Sequence, residues 1–232
     1  MCIRDRNKIG LRGTVLKWFQ SYLCNRFQKV KFNTTTSNKI ATEHGVPQGT
    51  VLGPILFNLF INDLVKCVNE SEICLFADDT MIYVVGTNIN EMCIKINRDL
   101  KNIYSWLCDN KLCINVNKTK AILFGSKSKT MNVDVNEINV CIDNKKLEFV
   151  NVIKYLGVQL DQNLTFHDHA LYIMNKMSKK AFFLRRISKN LSMQTKLLLY
   201  KSIIAPHIDY CCTVLFNLPS YRLQELQCIQ NR

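Results

Sequence analysis

The segment EICLFADDTMIYVV, residues 72–85, decides how the first half of the chain folds. Two short apolar runs, 72–76 and 80–85, flank Asp78 and Asp79, and this pattern predicts a β-hairpin with two carboxylates at or near its tip. Because both runs are almost continuously apolar, we expect them to form buried strands.

The two adjacent acids are the first candidate for a functional site. Successive strand residues point to opposite faces, so Asp78 and Asp79 approach one point only where the chain turns. Unpaired carboxylates repel each other there unless a cation neutralises them, and hard oxygen ligands suit Mg²⁺ or Mn²⁺. Asp-Asp is also ordinary turn sequence, but the apolar flanks favour the metal site.

A second candidate lies upstream, in VPQGTVLGP at 46–54. Gly49 and Gly53 allow a ligand to approach the backbone closely. Pro54 predicts the first turn of a helix over 54–68, with Gly53 as its N-cap, and the positive end of that helix favours phosphate. The alternative is a structural turn that leads into a buried, largely apolar helix.

The remaining hydrophobic periodicities predict an α+β chain that ends in helices. Further helices are predicted at 13–25, 89–107, 168–190, 192–215 and 219–231. Further strands are predicted at 27–33, 39–46, 112–116, 119–124, 137–142, 146–151 and 153–160. The chain should therefore consist of an α+β body to about residue 165 and an all-helical, basic end.

Basic residues concentrate toward the two ends of the chain, whose formal net charge is +13. Residues 1–42 carry nine Lys or Arg and one acid, and residues 169–208 carry eight Lys or Arg and no acid. The middle, 43–168, holds twelve bases and fifteen acids. Basic flanks around an acidic middle are typical of a protein that holds a polyanion such as nucleic acid, although a solvated basic surface gives the same count.

Composition excludes several classes of protein. The apolar fraction is 47% and the charged fraction 21%, which excludes a disordered or low-complexity chain. The apolar runs are too short to span a bilayer, and the charged N-terminus lacks a secretory signal, so we expect an intracellular protein without a membrane span. None of the eleven cysteines forms a Cys-x-x-Cys pair, which favours free thiols over a zinc site.

The sequence His167-Asp168-His169 has the composition of a metal site but not its spacing. Histidines two residues apart do not share a helix face. We therefore predict that Asp168 is a first-turn acid and that His169 lies on the surface of helix 168–190.

Seven motifs occur in an order that is typical of one enzyme family. They are WFQSYLCNR (18–26), GVPQGTVLGPILFNLFINDL (45–64), LFADDT (75–80), WLCDNKL (106–112), NKTKAILF (117–124), KYLG (154–157) and QCIQNR (227–232). Together they resemble the reverse transcriptases of non-LTR, jockey-like retrotransposons over about residues 9–232. The resemblance implies a right-hand polymerase palm followed by a helical thumb.

The resemblance also implies a chemistry, in which a primer 3′-OH attacks the α-phosphate of a dNTP with the help of two Mg²⁺ ions; Mn²⁺ can substitute. By resemblance, Asp78 is a metal ligand, Asp79 is a second and weaker one, and Lys118 protonates pyrophosphate. The alternative for Lys118 is a solvated turn lysine.

The binding residues implied by the resemblance form three groups. The nucleotide and template pocket would contain Pro47, Gln48, Gly49, Phe76 and Ala77. The primer grip would contain Tyr155, Leu156 and Gly157. A basic helix face would contact the nucleic-acid backbone through Lys176, Lys179, Lys180, Arg185, Arg186 and Lys189.

The chain also departs from the family pattern, because the family's palm has an earlier strand with a further aspartate, which should lie some tens of residues before Trp18. The one aspartate before Trp18 here is Asp5, in a stretch that matches no family motif. We expect residues 1–8 to be foreign, 9–165 to be a partial palm and 166–232 a truncated thumb.

The partners implied are an RNA template, a DNA primer, dNTPs and the rest of a retroelement polyprotein, in the nucleus or cytoplasm. The fragment should be inactive alone. The alternatives are a remnant that only binds nucleic acid and an unrelated Mg²⁺-dependent nuclease.

Overall fold

The chain divides into two compact units, Met1–Ile114 and Asn115–Arg232. The computed structural model describes residues 10, 12–42, 45–131, 133–135 and 137–231. The predicted foreign segment, 1–8, lies outside the described residues. The predicted boundary between residues 165 and 166 falls inside the second unit, so the division into palm and thumb stays a prediction.

Within its described residues, the first unit combines three α-helices with three two-stranded antiparallel sheets. Its elements are α1 (Gly13–Leu23), β1 (Arg26–Gln28), β2 (Lys31–Phe32), β3 (Thr35–Thr36), β4 (Ile40–Thr42), α2 (Leu52–Ile61), β5 (Glu72–Phe76), β6 (Asp79–Tyr83) and α3 (Ile89–Asp109). Strand β1 pairs with β4, β2 with β3, and β5 with β6. A 3₁₀ helix (Asn62–Cys67) follows α2.

Helix α2 differs from its prediction at both ends. It begins at Leu52 rather than Pro54, so Gly53 lies in its first turn and is not the N-cap. A Cβ on Gly53 would lie 3.0 Å from the Pro47 carbonyl oxygen, which explains why a glycine is needed there. The helix buries one face through Leu56, whereas Ile55 is 53% exposed, so the prediction of a buried helix was wrong for its other face.

The β5–β6 hairpin forms as predicted, but only one of its faces packs inward. Ile73, Leu75 and Ile82 contact a core that is built on Ile61, Leu64 and Ile103. Alternate residues such as Cys74 and Phe76 are exposed. The expectation of fully buried strands was therefore wrong, because apolar side chains alternate between a packed face and a solvated one.

Helix α3 confirms the predicted periodicity and adds a buried carboxylate. Asn88 caps it by accepting a hydrogen bond from the Asn90 N–H at 3.0 Å. Asp99, an acid within this helix, is 1% exposed. It accepts hydrogen bonds from the backbone N–H groups of Asn69, Glu70 and Ser71 at 3.0, 3.0 and 2.7 Å.

These bonds tie α3 to the segment that leads into β5. Burial favours the neutral form of Asp99, but the three backbone donors outweigh it and hold the pKa of this carboxyl below its usual range.

The part of the second unit that the structure describes has two antiparallel strand pairs, one parallel pair and several helices, most of them after the strands. Its elements are β7 (Lys120–Ala121), α4 (Lys127–Thr130), β8 (Cys141–Ile142), β9 (Lys145–Lys146), β10 (Glu148–Phe149), β11 (Val152–Tyr155), β12 (Val158–Asp161), α5 (His167–Ile187), α6 (Met193–Leu199), α7 (Pro206–Asp209) and α8 (Ser220–Gln230). Strands β8–β9 and β11–β12 form hairpins, and β7 pairs in parallel with β10.

The helical end packs around α5, whose buried residues include Ile173 and Met177. The predicted helix over 192–215 is broken. Helix α6 passes into a π-helix (Tyr200–Ile204), and Pro206 then opens the short α7. Proline lacks a backbone N–H, so it begins a new helix more readily than it continues an old one.

Two polar residues are buried where β12 leads into α5. Asp161 accepts hydrogen bonds from the N–H groups of Asn163, Thr165 and Phe166. Burial opposes its ionisation, but these donors hold its pKa below the usual range. His169 is 2% exposed, so the prediction that it lies on the helix surface was wrong; its Nδ1 accepts from the Gln159 N–H at 3.3 Å.

No helix within the described residues combines the length and the apolar character that crossing a membrane requires.

Candidate functional site

The two acids lie at the turn of the β5–β6 hairpin, as predicted. Phe76 pairs with Asp79, so the turn itself consists of Ala77 and Asp78. Ala77 has a φ of 51°, in the left-handed region, which costs an L-residue about 1 kcal/mol. Both carboxylates and Ala77 are exposed, so the turn presents two acids and a small side chain to solvent.

The chemistry of these acids fits a hard divalent cation. Neither side chain has a hydrogen-bond or ion-pair partner among the residues that the structure describes. Carboxylate oxygens are the ligands that Mg²⁺ prefers. Within the described ranges, no group of three or more His, Cys, Asp or Glu side chains is placed to hold a metal ion. Asp78 and Asp79 can therefore supply part of a coordination sphere.

The loop before α2 is organised by Thr50, a residue that sequence analysis missed. The Thr50 hydroxyl donates to the Pro47 carbonyl oxygen at 2.9 Å and accepts from the Gly53 N–H at 3.2 Å. The Tyr22 hydroxyl, from α1, donates to the same Thr50 oxygen at 3.0 Å. These bonds close the loop around Gln48 and Gly49, both of which are exposed.

Gly49 has a φ of 75°, a conformation that glycine adopts without strain. Lys118, the predicted proton donor, is in the second unit. It is an exposed turn residue whose backbone N–H donates to the Asn115 carbonyl oxygen at 3.0 Å.

The predicted primer grip forms the turn of the β11–β12 hairpin. Tyr155 pairs with Val158, so Leu156 and Gly157 make a two-residue turn with φ values of 44° and 88°. Tyr210, which the sequence did not single out, donates from its hydroxyl to the Leu156 carbonyl oxygen at 2.5 Å. A Cβ on Gly157 would lie 3.2 Å from Tyr210 Cε1, so Tyr210 packs directly against the turn.

Replacing Gly157 with alanine should destabilise the second unit by about 1–2 kcal/mol, because the left-handed backbone is strained for alanine and the new methyl group crowds Tyr210. Hydrogen exchange over residues 152–161 should speed up in Gly157→Ala. It should also speed up in Tyr210→Phe, which loses only the hydroxyl. Unchanged protection in both variants would contradict the role of Tyr210.

The residues of the predicted basic face do not all lie on one side of a single helix. Five of its members lie on α5 and Lys189 lies in the 3₁₀ helix that follows (Ser188–Asn190). At about 100° per residue the six side chains spread around more than half the helix circumference. Arg185 and Arg186 occupy the last turn of α5, where cations also stabilise the helix dipole.

Lys176 lies in a cluster with partners from other elements. Its ammonium group lies 4.4 Å from the centre of the Tyr172 ring, and that of Lys154, on β11, lies 5.4 Å from the same ring. The Lys176 ammonium beside the hydroxyl lowers the pKa of Tyr172, and Lys154 adds to this effect.

The roles of four residues were not predicted from the sequence: Thr50, Asp99, Asp161 and Tyr210. Asp161 had a usable signal, since an aspartate at a turn commonly accepts from the backbone N–H two residues further on, here that of Asn163. Thr50 also had a local signal, because a threonine hydroxyl just before a helix commonly accepts from the N–H three residues further on. Asp99 and Tyr210 bond to residues 28 or more positions away, so no local pattern marks them.

Comparison with known proteins agrees with these features. The profile of the family "Reverse transcriptase (RNA-dependent DNA polymerase)" matches residues 3–160. This range contains both candidate loops and the β11–β12 turn. It begins inside the segment 1–8 that the sequence motifs leave unmatched.

Three curated proteins are similar to most of the chain. It is 30% identical over 220 residues to the probable RNA-directed DNA polymerase from transposon X-element of Drosophila melanogaster, covering 92% of this chain and 24% of that protein. It is 29% identical over 203 residues to the RNA-directed DNA polymerase from mobile element jockey of Drosophila funebris, covering 81% of this chain and 21% of that protein.

The third is the Retrovirus-related Pol polyprotein from type-1 retrotransposable element R1 2 of Nasonia vitripennis. The two sequences are 27% identical over 182 residues, which cover 76% of this chain and 44% of that protein. The chain thus spans between about a fifth and under a half of the length of these relatives. Because the family profile covers more than half of the chain and the relatives come from mobile elements of one kind, the chain belongs to the reverse transcriptase family, as found in non-LTR retrotransposons.

Proposed function

We propose that this chain is the palm and thumb part of an RNA-directed DNA polymerase that copies the RNA of a retrotransposon. The palm is the α+β body over residues 9–165, and the thumb is the helical segment over 166–232. The observation that carries the proposal is the pair of exposed, unpartnered acids, Asp78 and Asp79, at a hairpin turn inside the region that matches the family.

The reaction is a phosphoryl transfer from a dNTP to the 3′ end of a DNA primer on an RNA template. Asp78 and Asp79 hold Mg²⁺ with further oxygen ligands, and Mn²⁺ suits the same oxygens. The bound ions supply positive charge that stabilises the negative charge developing on the transferred phosphate. Ala77 leaves room for the primer end, and Lys118 donates a proton to the departing pyrophosphate.

Three further groups of residues bind the substrates in this proposal. Pro47, Gln48 and Gly49 contact the nucleotide and template together with Phe76, whose ring is 62% exposed beside the acids. The turn at Tyr155, Leu156 and Gly157 holds the primer. The nucleic-acid backbone is bound by Lys176, Lys179, Lys180, Arg185, Arg186 and Lys189.

A second function, binding of nucleic acid without catalysis, is favoured by one observation. The two carboxylates come from one turn, and no hydrogen bond to a described residue orients them. Two adjacent acids alone fix two ions poorly, so we propose that catalysis needs ligands from a longer polyprotein. Asp78 distinguishes the two functions, because polymerisation requires its carboxylate and binding of nucleic acid does not.

Primer extension tests the proposed function. We expect no extension of oligo(dT) on poly(rA) by the 232-residue chain alone, with Mg²⁺ or Mn²⁺. A chimera in which the chain replaces the matching segment of the Drosophila funebris jockey polymerase should extend the primer. A folded chimera that binds the hybrid but never extends it would favour the non-catalytic remnant. Extension by the short chain would show that it completes the site by itself.

A further inference from the structure

Five side chains of the second unit come together at one flank of α5. Tyr172, Lys176 and Lys180 are spaced four residues apart, so they share one helix face. Lys154 reaches the Tyr172 ring from β11. His207, at the start of α7, contacts Lys180: its Nε2 lies 2.6 Å from the Lys180 ammonium nitrogen.

The cluster carries positive charge without a compensating acid. Among the described residues, no carboxylate lies within 4.0 Å of the ammonium groups of Lys154, Lys176 or Lys180. Lysine can only donate, so the His207 Nε2 must accept from Lys180 and the ring must be neutral. Lys154 and Lys176 lie beside Tyr172, and Lys180 lies beside His207. These like charges repel one another, and an anion bound among them offsets that repulsion.

Other charged groups near His207 do not change this balance. The pKa of His207 is lowered first by burial, then by Lys180 and by Lys176, all of which oppose a charged ring. Asp209 on the same helix is exposed to solvent, as is Lys201 on the π-helix that packs against α7. Solvent screens both of these charges.

We propose that Lys154, Tyr172, Lys176, Lys180 and His207 form one site for a single phosphate group of a bound nucleic-acid strand, and that His207 takes up a proton when the phosphate binds. The assignment to nucleic acid rests on the proposed function. A phosphate oxygen attracts the Lys180 ammonium away from His207. The freed Nε2 then accepts a proton from solvent and, as an imidazolium, donates to the same phosphate.

The linkage fixes the sign of the pH dependence. The free site has a His207 pKa below the ordinary value, and a bound dianionic or monoanionic phosphate raises it. Binding is therefore accompanied by proton uptake, and affinity increases as the pH falls between the bound-state and the free-state pKa. The limiting slope is about one decade of affinity per pH unit for one proton.

The binding experiment uses the full 232-residue chain and a fluorescein-labelled 12-base-pair RNA–DNA hybrid. Lys154→Gln/Lys176→Gln should weaken binding about tenfold or more at low salt and reduce the slope of log K against log salt by roughly one unit. The matched control Lys127→Gln/Lys129→Gln removes two exposed lysines of α4 in the same unit and should change affinity less than threefold. Circular dichroism should show all variants folded.

The proton uptake has its own readouts. In His207→Gln, whose amide oxygen can still accept from Lys180, hybrid affinity should lose most of its dependence on pH between 5.5 and 8. The His207 ring resonances should titrate at higher pH when the hybrid or inorganic phosphate is added. Equal weakening by the control pair, or an unmoved His207 titration, would overturn the site.

One outcome separates this inference from the proposed function. If inorganic phosphate shifts the His207 titration but the wild-type chain binds no hybrid, the cluster is a site for free phosphate. The assignment to nucleic acid and the proposed function would then both be wrong. If the hybrid binds through the cluster while the chimera never extends a primer, the inference stands and only the polymerase function fails.

Discussion

Replacing Asp78 with alanine in the jockey chimera should lower RNA-templated primer extension by roughly 1,000-fold, the largest effect that we expect from any single substitution. Asp78 is in the two-residue turn of the β5–β6 hairpin, and its carboxylate has no partner among the described residues. Under the proposed function, its removal would leave bound ions short of a ligand, and the charge developing on the transferred phosphate would then lack stabilisation.

Control variants distinguish the loss of a metal ligand from a general loss of folding. Asp79→Ala should reduce extension less than Asp78→Ala. Asp109→Ala, which removes an exposed carboxylate from the end of α3, should extend at the wild-type rate. Hybrid affinity should not fall in Asp78→Ala, since the variant removes a negative charge near a polyanion. Primer extension at the wild-type rate by Asp78→Ala would contradict the role of Asp78 as a metal ligand.

Replacing Asp99 with asparagine should lower the free energy of unfolding of the first unit by about 2–4 kcal/mol. The carboxylate is 1% exposed and accepts from three backbone N–H groups that connect α3 to the start of β5. An amide keeps the volume but turns one acceptor into a donor that faces N–H groups. At least one backbone donor is then left buried without a partner.

Tryptophan fluorescence measures this effect in the first unit alone, because both tryptophans, Trp18 and Trp106, lie there. Urea unfolding should show the loss for Asp99→Asn and a change within about 0.5 kcal/mol for the exposed control Asp109→Asn. An equal, small effect of both substitutions would refute the role of Asp99.

The pH dependence follows from the lowered pKa of Asp99. A carboxyl whose folded-state pKa lies below its unfolded value stabilises the fold fully above the unfolded pKa, and this contribution is lost as the pH falls through the folded pKa. The difference in stability between wild type and Asp99→Asn should therefore be constant near neutral pH. It should shrink only in acid, below about pH 4.

Local sequence patterns predicted the elements that depend on neighbouring residues. The β5–β6 hairpin and α3 occur where the apolar runs and the helical period place them. The predicted strands at 112–116 and 119–124 shrink to Lys120–Ala121, since short strands depend on a partner that local sequence does not specify. The predicted helix over 192–215 fails for a different reason: it passes into a π-helix and ends before Pro206, which lacks the backbone N–H that continues a helix.

The sequence by itself determined the α+β class, the adjacent acids at a turn and the family, because each of these depends on patterns of residues that are close together in the sequence. Only the tertiary structure decided that Asp99 is buried beneath the start of β5, that Tyr210 holds the Leu156 turn, and that His207 meets Lys180. Those contacts join residues 27 to 54 positions apart. Long-range contacts of this kind depend on how the elements pack, and neither helical nor strand periodicity encodes that packing.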